Sequence, residues 1–122
     1  MKRGTEARRV EAALRRWGRA VQIFVPDSQG GTVIHREKGI LHPLLYKDRR
    51  YLSGDWLPLG YSGGGHYLYF GPADSAVTLL QVDGELCAEG KRYLLRRAEQ
   101  YYLREKPLYC WAVLEESGPL QE

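Results

Sequence analysis

The segment LYCWAVL, Leu108 to Leu114, sorts its side chains into two sets: Leu108, Cys110, Ala112 and Leu114 on one side, Tyr109, Trp111 and Val113 on the other. Strict alternation of this kind is the mark of an extended chain, so the segment predicts a strand. Similar pieces recur. In AVQIFVP, Val21, Ile23 and Val25 alternate with Gln22 and Phe24, and Pro26 closes the run. HYLYF carries Tyr67, Tyr69 and Phe70 and stops at Gly71-Pro72. TVIHREKGILHPLLY supplies one or two strands, interrupted near Gly39, with Pro43 at an edge or strand end. AVTLLQV reads as another. The intervening DSQGG, Asp83-Gly84 and Gly90 are turn signals. At 122 residues the chain has room for one domain with a small core. The expected fold is therefore mainly β: a small antiparallel β-barrel or sandwich of about six strands across residues 20–115. Residues 116–122 read as a tail, and residues 1–122 as a single domain.

One helix is expected in front of the strands, over residues 5–18. Ala7, Val10, Ala13, Leu14 and Trp17 recur at helical spacing and make one apolar stripe. Thr5 is a candidate N-cap, and Gly18 ends the run. Trp17 reads as part of the buried stripe. Arg8, Arg9, Arg15, Arg16 and Arg19 fall largely off it, which suits a solvated or protein-docking face, or a phosphate-facing one.

KRYLLRRAEQYYLRE leaves two readings open. Leu94, Ala98, Tyr101 and Tyr102 form a helical stripe. The same residues also make a strand, with Tyr93, Leu95 and Arg97 on one face and Leu94, Arg96 and Ala98 on the other. In that case LREKP is the hairpin turn into LYCWAVL.

Between residues 47 and 65 the alternation dissolves into charge, aromatics and glycine. Loops this long in a compact domain tend to be functional or mobile. Tyr51, Trp56 and Tyr61 are the residues expected to meet a partner there. Gly60-Tyr61-Ser62-Gly63-Gly64 also fits G-x-S-x-G, the nucleophile elbow of serine hydrolases. That elbow needs a strand turning into a helix, and a histidine well downstream. Here a strand pattern follows, and the last histidine, His66, is only four residues on. No catalytic residue is expected.

Charge and cysteine usage narrow the remaining classes. Residues 1–20 hold seven basic and two acidic side chains, while acidic residues outnumber basic ones in the remainder. Opposed ends suit head-to-tail contact with copies or neighbours. Cys87 and Cys110 sit in apolar surroundings and read as free buried thiols. His35, His42 and His66 are scattered without metal-ligand spacing, so neither metal nor cofactor is expected. No apolar run approaches a membrane span, and the first eighteen residues lack the apolar core of a secretory signal.

The order of pieces resembles small tailed-phage and prophage proteins of the head–tail junction. The resemblance rests on ALRRWGRAVQIFV, ILHPLLYK, the loop Leu57-Pro58-Leu59-Gly60, YLYFGPA, KRYLLRRAE and the terminal PLYCWAVL. It covers roughly residues 10 to 115. His42 stands where the pattern has glutamine, and EQYYLREKP replaces a glycine-containing turn. The resemblance implies that KRYLLRRAE is a strand and that the fold is a barrel with one N-terminal helix. It further implies a non-enzymatic head-closure, stopper or tail-completion component. Such a component forms a ring of its own copies, contacts portal or adaptor and tail proteins, and passes or gates DNA through the lumen without sequence readout. Its place would be a virion or phage-like particle, after synthesis in the bacterial cytoplasm. Arg8, Arg9, Arg15, Arg16, Tyr51, Trp56 and Tyr61 are the expected interface residues. The competing expectation is a small nucleic-acid-binding β-barrel that uses the basic N-terminal helix, which would need aromatics interleaved with the arginines.

Overall fold

The computed structural model describes residues 5–44 and 65–119. Helix α1 (Thr5–Trp17) precedes six strands: β1 (Arg19–Pro26), β2 (Thr32–Pro43), β3 (His66–Gly71), β4 (Glu85–Ala88), β5 (Lys91–Leu103) and β6 (Lys106–Pro119). A short 3-10 turn (Ala76–Leu79) lies between β3 and β4. Every strand pairing is antiparallel, and the sheet closes on itself in the order β1-β2-β3-β6-β5-β4. The protein is a closed six-stranded barrel with one N-terminal helix, which decides between the barrel and the sandwich that the alternating segments left open. The strand face of Cys110, Ala112 and Leu114 points into the barrel with Val21, Ile23 and Leu86. The opposite face of β6 is also covered: Val113 packs outside the wall with Leu44 and Leu68, flanked by Phe70 and Trp111.

The segment that fitted both helix and strand is β5, paired along its length with β6. Its apparent helical stripe crosses a break in the strand. The register shifts between Leu95 and Arg97, so Arg96 is an extra residue. Such a bulge reverses which side chains face inward. Tyr93 and Leu95 face the core before it, and Ala98 packs against the core after it. The stripe of Leu94, Ala98, Tyr101 and Tyr102 therefore shares no face of the strand: Leu94 alternates with the inward Tyr93 and Leu95, whereas Ala98 lies on the core side. The displaced Arg96 is put to use: Nε and Nη2 donate to Oε1 of Glu115 at 2.9 and 2.5 Å, and Nη1 to Asp83 at 2.7 Å. The hairpin turn falls at Arg104-Glu105, between the paired Leu103 and Lys106.

Four expectations are corrected. AVTLLQV is no strand. Its first four residues form the 3-10 turn, because Ser75 caps them: Ser75 Oγ accepts from the Val77 N–H at 3.2 Å. TVIHREKGILHP is one unbroken strand through Gly39. The glycine makes room, since a Cβ there would overlap the ring of Tyr69. Strand β6 continues past residue 115 to Pro119, where it pairs with the start of β5 at Lys91. Trp17 is 65% exposed and lies outside the buried stripe, of which Leu14 alone is fully buried. The helix stops at Gly18, whose N–H donates to Leu14 O at 2.9 Å.

The short strands decide where the other elements go. Above β3, α1 packs against β2 and β6; above β4, the 3-10 turn packs between β1 and β5. Both long hairpins, β1–β2 and β5–β6, project from this same end of the barrel.

Candidate functional site

The four expected arginines share the exposed side of α1. Arg8 and Arg15 are seven residues apart, as are Arg9 and Arg16, so they run along two neighbouring lines of the helix. The Arg16 guanidinium lies 5.2 Å from the centre of the Trp17 ring, within cation–π range. Arg19, just beyond, forms an exposed ion pair with Glu89 at 2.7 Å. Tyr51, Trp56 and Tyr61, like Ser62 and most of the 47–65 loop, lie outside the described residues.

Residues that alternation alone did not single out make a second surface. Tyr101, Tyr102 and Leu103 are 46%, 52% and 39% exposed near the tip of the β5–β6 ribbon. The Tyr101 ring stacks on Tyr109 at 5.0 Å, and Tyr109 meets Phe70 edge-on at 5.9 Å. Val33 and Ile34 are exposed on the β1–β2 ribbon. In each case consecutive apolar residues are exposed, and consecutive residues in a strand point to opposite faces. Both ribbons are therefore wet on both faces. The signal in the sequence was the run YYL itself, three large apolar residues where a half-buried strand alternates.

The densest polar cluster lies at this end of the barrel. Glu37, on the inward face of β2, accepts from the Tyr69 hydroxyl. It also accepts from Ser75 Oγ at 2.5 Å and from the Ala76 N–H at 3.1 Å. Burial, reinforced by the Glu37 charge, pushes the Tyr69 hydroxyl well above the usual tyrosine range. Burial first, then Glu37, pushes the Cys110 thiol up to about 12. Ser75 is fully buried, and its oxygen is engaged both as donor and as acceptor. The cluster is thus a latch that ties the 3-10 turn to β2 and β3. It offers no accessible nucleophile.

At the opposite end, His66 is buried opposite Glu115 in the β3–β6 register. Burial holds its imidazole below the usual value, against the pull of Glu115 and with a smaller push from Arg96. Cys87 and Cys110 are free and buried, as expected. Among the described residues, no three His, Cys, Asp or Glu side chains converge as metal ligands. No described helix is long and apolar enough to cross a membrane.

Two of the hollows beside these surfaces separate the outer elements from the barrel wall. One of about 250 Å³ lies beneath α1, between Val10, Ala13 and Leu14 on the helix and Ile40, Phe70 and Tyr109 on the barrel. The other, a groove of about 540 Å³, runs between β5 and the segment 77–82. Compared with known proteins, the chain matches no protein-family model and no curated protein.

Proposed function

We propose that the protein is a non-enzymatic structural connector of a phage or prophage-derived particle, a ring of its own copies at the head–tail junction. The observation that carries this reading is the β5–β6 ribbon. Its strands outrun the barrel and hold Tyr101, Tyr102 and Leu103 in solvent. Exposed apolar side chains on both faces of a ribbon favour burial against neighbours. The order of segments supports the same reading, with a basic helix first and a strand through KRYLLRRAE. In this role the arginines of α1 dock on an acidic neighbour, and DNA crosses the ring without being read.

A second reading is favoured by one observation. Trp17 stands exposed beneath Arg16, so an aromatic does accompany the basic helix. A stacking ring beside cations is what single-stranded nucleic acid requires.

Gold-labelled antibody on purified particles, imaged by electron microscopy, tests the first reading. Label at the junction between head and tail is expected; label absent from particles would overturn it. Tight binding of single-stranded DNA by the isolated chain, with a steep salt slope lost in Trp17→Ala, would favour the second.

A further inference from the structure

At the end of the barrel that carries the ribbons, several strands run past their neighbours. β3 reaches only Ile40–Pro43 of β2, and β4 reaches only Lys91–Leu94 of β5. Among the described residues, Thr32–Lys38 of β2 and the part of β5 beyond Leu95 have a strand partner on one side only. An unpaired edge is a template for another strand, and proteins blunt such edges with proline or charge. The overhangs of β1 and β6 carry Pro26 and Pro107. Those of β2 and β5 contain no proline; their charges are Arg36, Glu37 and Lys38 on β2 and Arg96, Arg97 and Glu99 on β5, so the stretch of β2 from Thr32 to His35 carries neither proline nor carboxylate or guanidinium. Leu95 is the last residue of β5 bonded on the open side, to Gly84 O and Asp83 N–H at 2.8 Å each. The bulge at Arg96 then shifts the alternation by one. Beyond it, the outward backbone groups belong to Ala98 and Gln100. These two residues lie in the 540 Å³ groove, with Val77, Leu80 and Val82 on its other wall.

We propose that this groove receives the β2 edge of a second copy, adding it to β5 as an antiparallel strand. The inference rests on the ring reading above and names its contact. In the closed order β1-β2-β3-β6-β5-β4, β2 and β5 are diametrically opposite. Each copy therefore presents a donor edge on one side and an acceptor edge on the other. Three antiparallel steps separate them, so they run in opposite directions. Copies standing side by side with parallel axes then pair antiparallel without being turned over. The sequences agree at that end: the β2 overhang carries exposed Val33 and Ile34, and the β5 overhang carries exposed Tyr101 and Tyr102. Thr32, Val33, Ile34 and Arg36 are exposed, while α1 meets β2 lower down, at Lys38 and Gly39 beside Gly18. A contact between two different patches repeats from copy to copy, and a small rotation at each contact closes the row into the ring of the reading above.

Light scattering across a concentration series and cysteine cross-linking test the contact on the full chain. Val33→Cys or Ile34→Cys is mixed with Tyr101→Cys or Tyr102→Cys and oxidised, the native thiols being buried. A disulfide dimer is expected only between different variants. Ala98→Pro, which removes one outward N–H, should raise the concentration needed for assembly about tenfold or more. If oligomers form but no mixture cross-links, or Tyr101→Cys cross-links with itself, this contact is wrong and the ring reading stands. A chain monomeric at every concentration removes both. If Ala98→Pro does not fold, the cross-linking alone decides.

Discussion

Arg104 occupies the tip of the β5–β6 hairpin with φ of 63°, a left-handed conformation that costs a residue with a Cβ about 1–2 kcal/mol. The turn, Arg104-Glu105, contains no glycine to take that conformation. Arg104→Gly should therefore raise stability by about 0.5 kcal/mol after glycine's own entropy is set against the relief, seen as a higher urea midpoint at unchanged slope. Gly39 is the converse case. A lone glycine in a strand pattern reads as a break, yet here it is the place where the Tyr69 ring lies against β2. Sequence alternation carries no information about a ring arriving from a neighbouring strand. His66 makes a prediction about acid. Its imidazole is held below its ordinary 6.5 chiefly by burial. The unfolded chain therefore binds a proton that the fold resists. The stability tied to neutral His66 is complete above about pH 6.5 and is lost as pH falls through the lower folded value. His66→Gln should flatten the acid limb of the stability profile relative to wild type, measured as urea midpoints on either side of pH 6.5.

Among the elements, the 3-10 turn and β5 mark the limits of reading by period. AVTLLQV has the composition of a strand, but the Ser75 cap and the Glu37 carboxylate hold its first half in a turn. The deciding carboxylate is 38 residues upstream of Ser75, and no local pattern announces it. In β5 the period was distorted by one bulge, and the resemblance to junction proteins, not the spacing, favoured a strand. By contrast β1 and the middle of β6, from Tyr109 to Glu116, were legible directly, because there the strand's own alternation runs unbroken against the closed core. If Glu37 latches the turn, Glu37→Gln should weaken hydrogen bonds that a charged acceptor strengthens, at a cost of about 2 kcal/mol. Hydrogen exchange should then speed up at residues 76–80 before it does in β6. Equal acceleration in both would mean that Glu37 supports the whole barrel rather than this one element.

For the whole molecule, the sequence carried the fold more clearly than the surfaces. The leading helix, β1, β2, β3 and β6 follow from alternation, turn signals and one amphipathic stripe, whereas β4 was not read as a strand and β5 was left open by its spacing. The arginines of α1 were legible as a group because they avoid that stripe. Trp17 was assigned to the wrong side of it because helical spacing does not reveal where packing stops. The exposed ribbon residues and open strand edges depend on strand lengths. These are set by which neighbours β3 and β4 reach, a property of the closed barrel. Tyr51, Trp56 and Tyr61 lie outside the described residues, so the expected loop contact stands with the proposal of a connector. That proposal is tested most directly by placing a stop codon in the gene of a particle-producing bacterium and imaging the lysate by electron microscopy. The account expects heads and tails that fail to join, with joining restored when the wild-type chain is supplied in trans. Joined, infectious particles at the wild-type yield would contradict it.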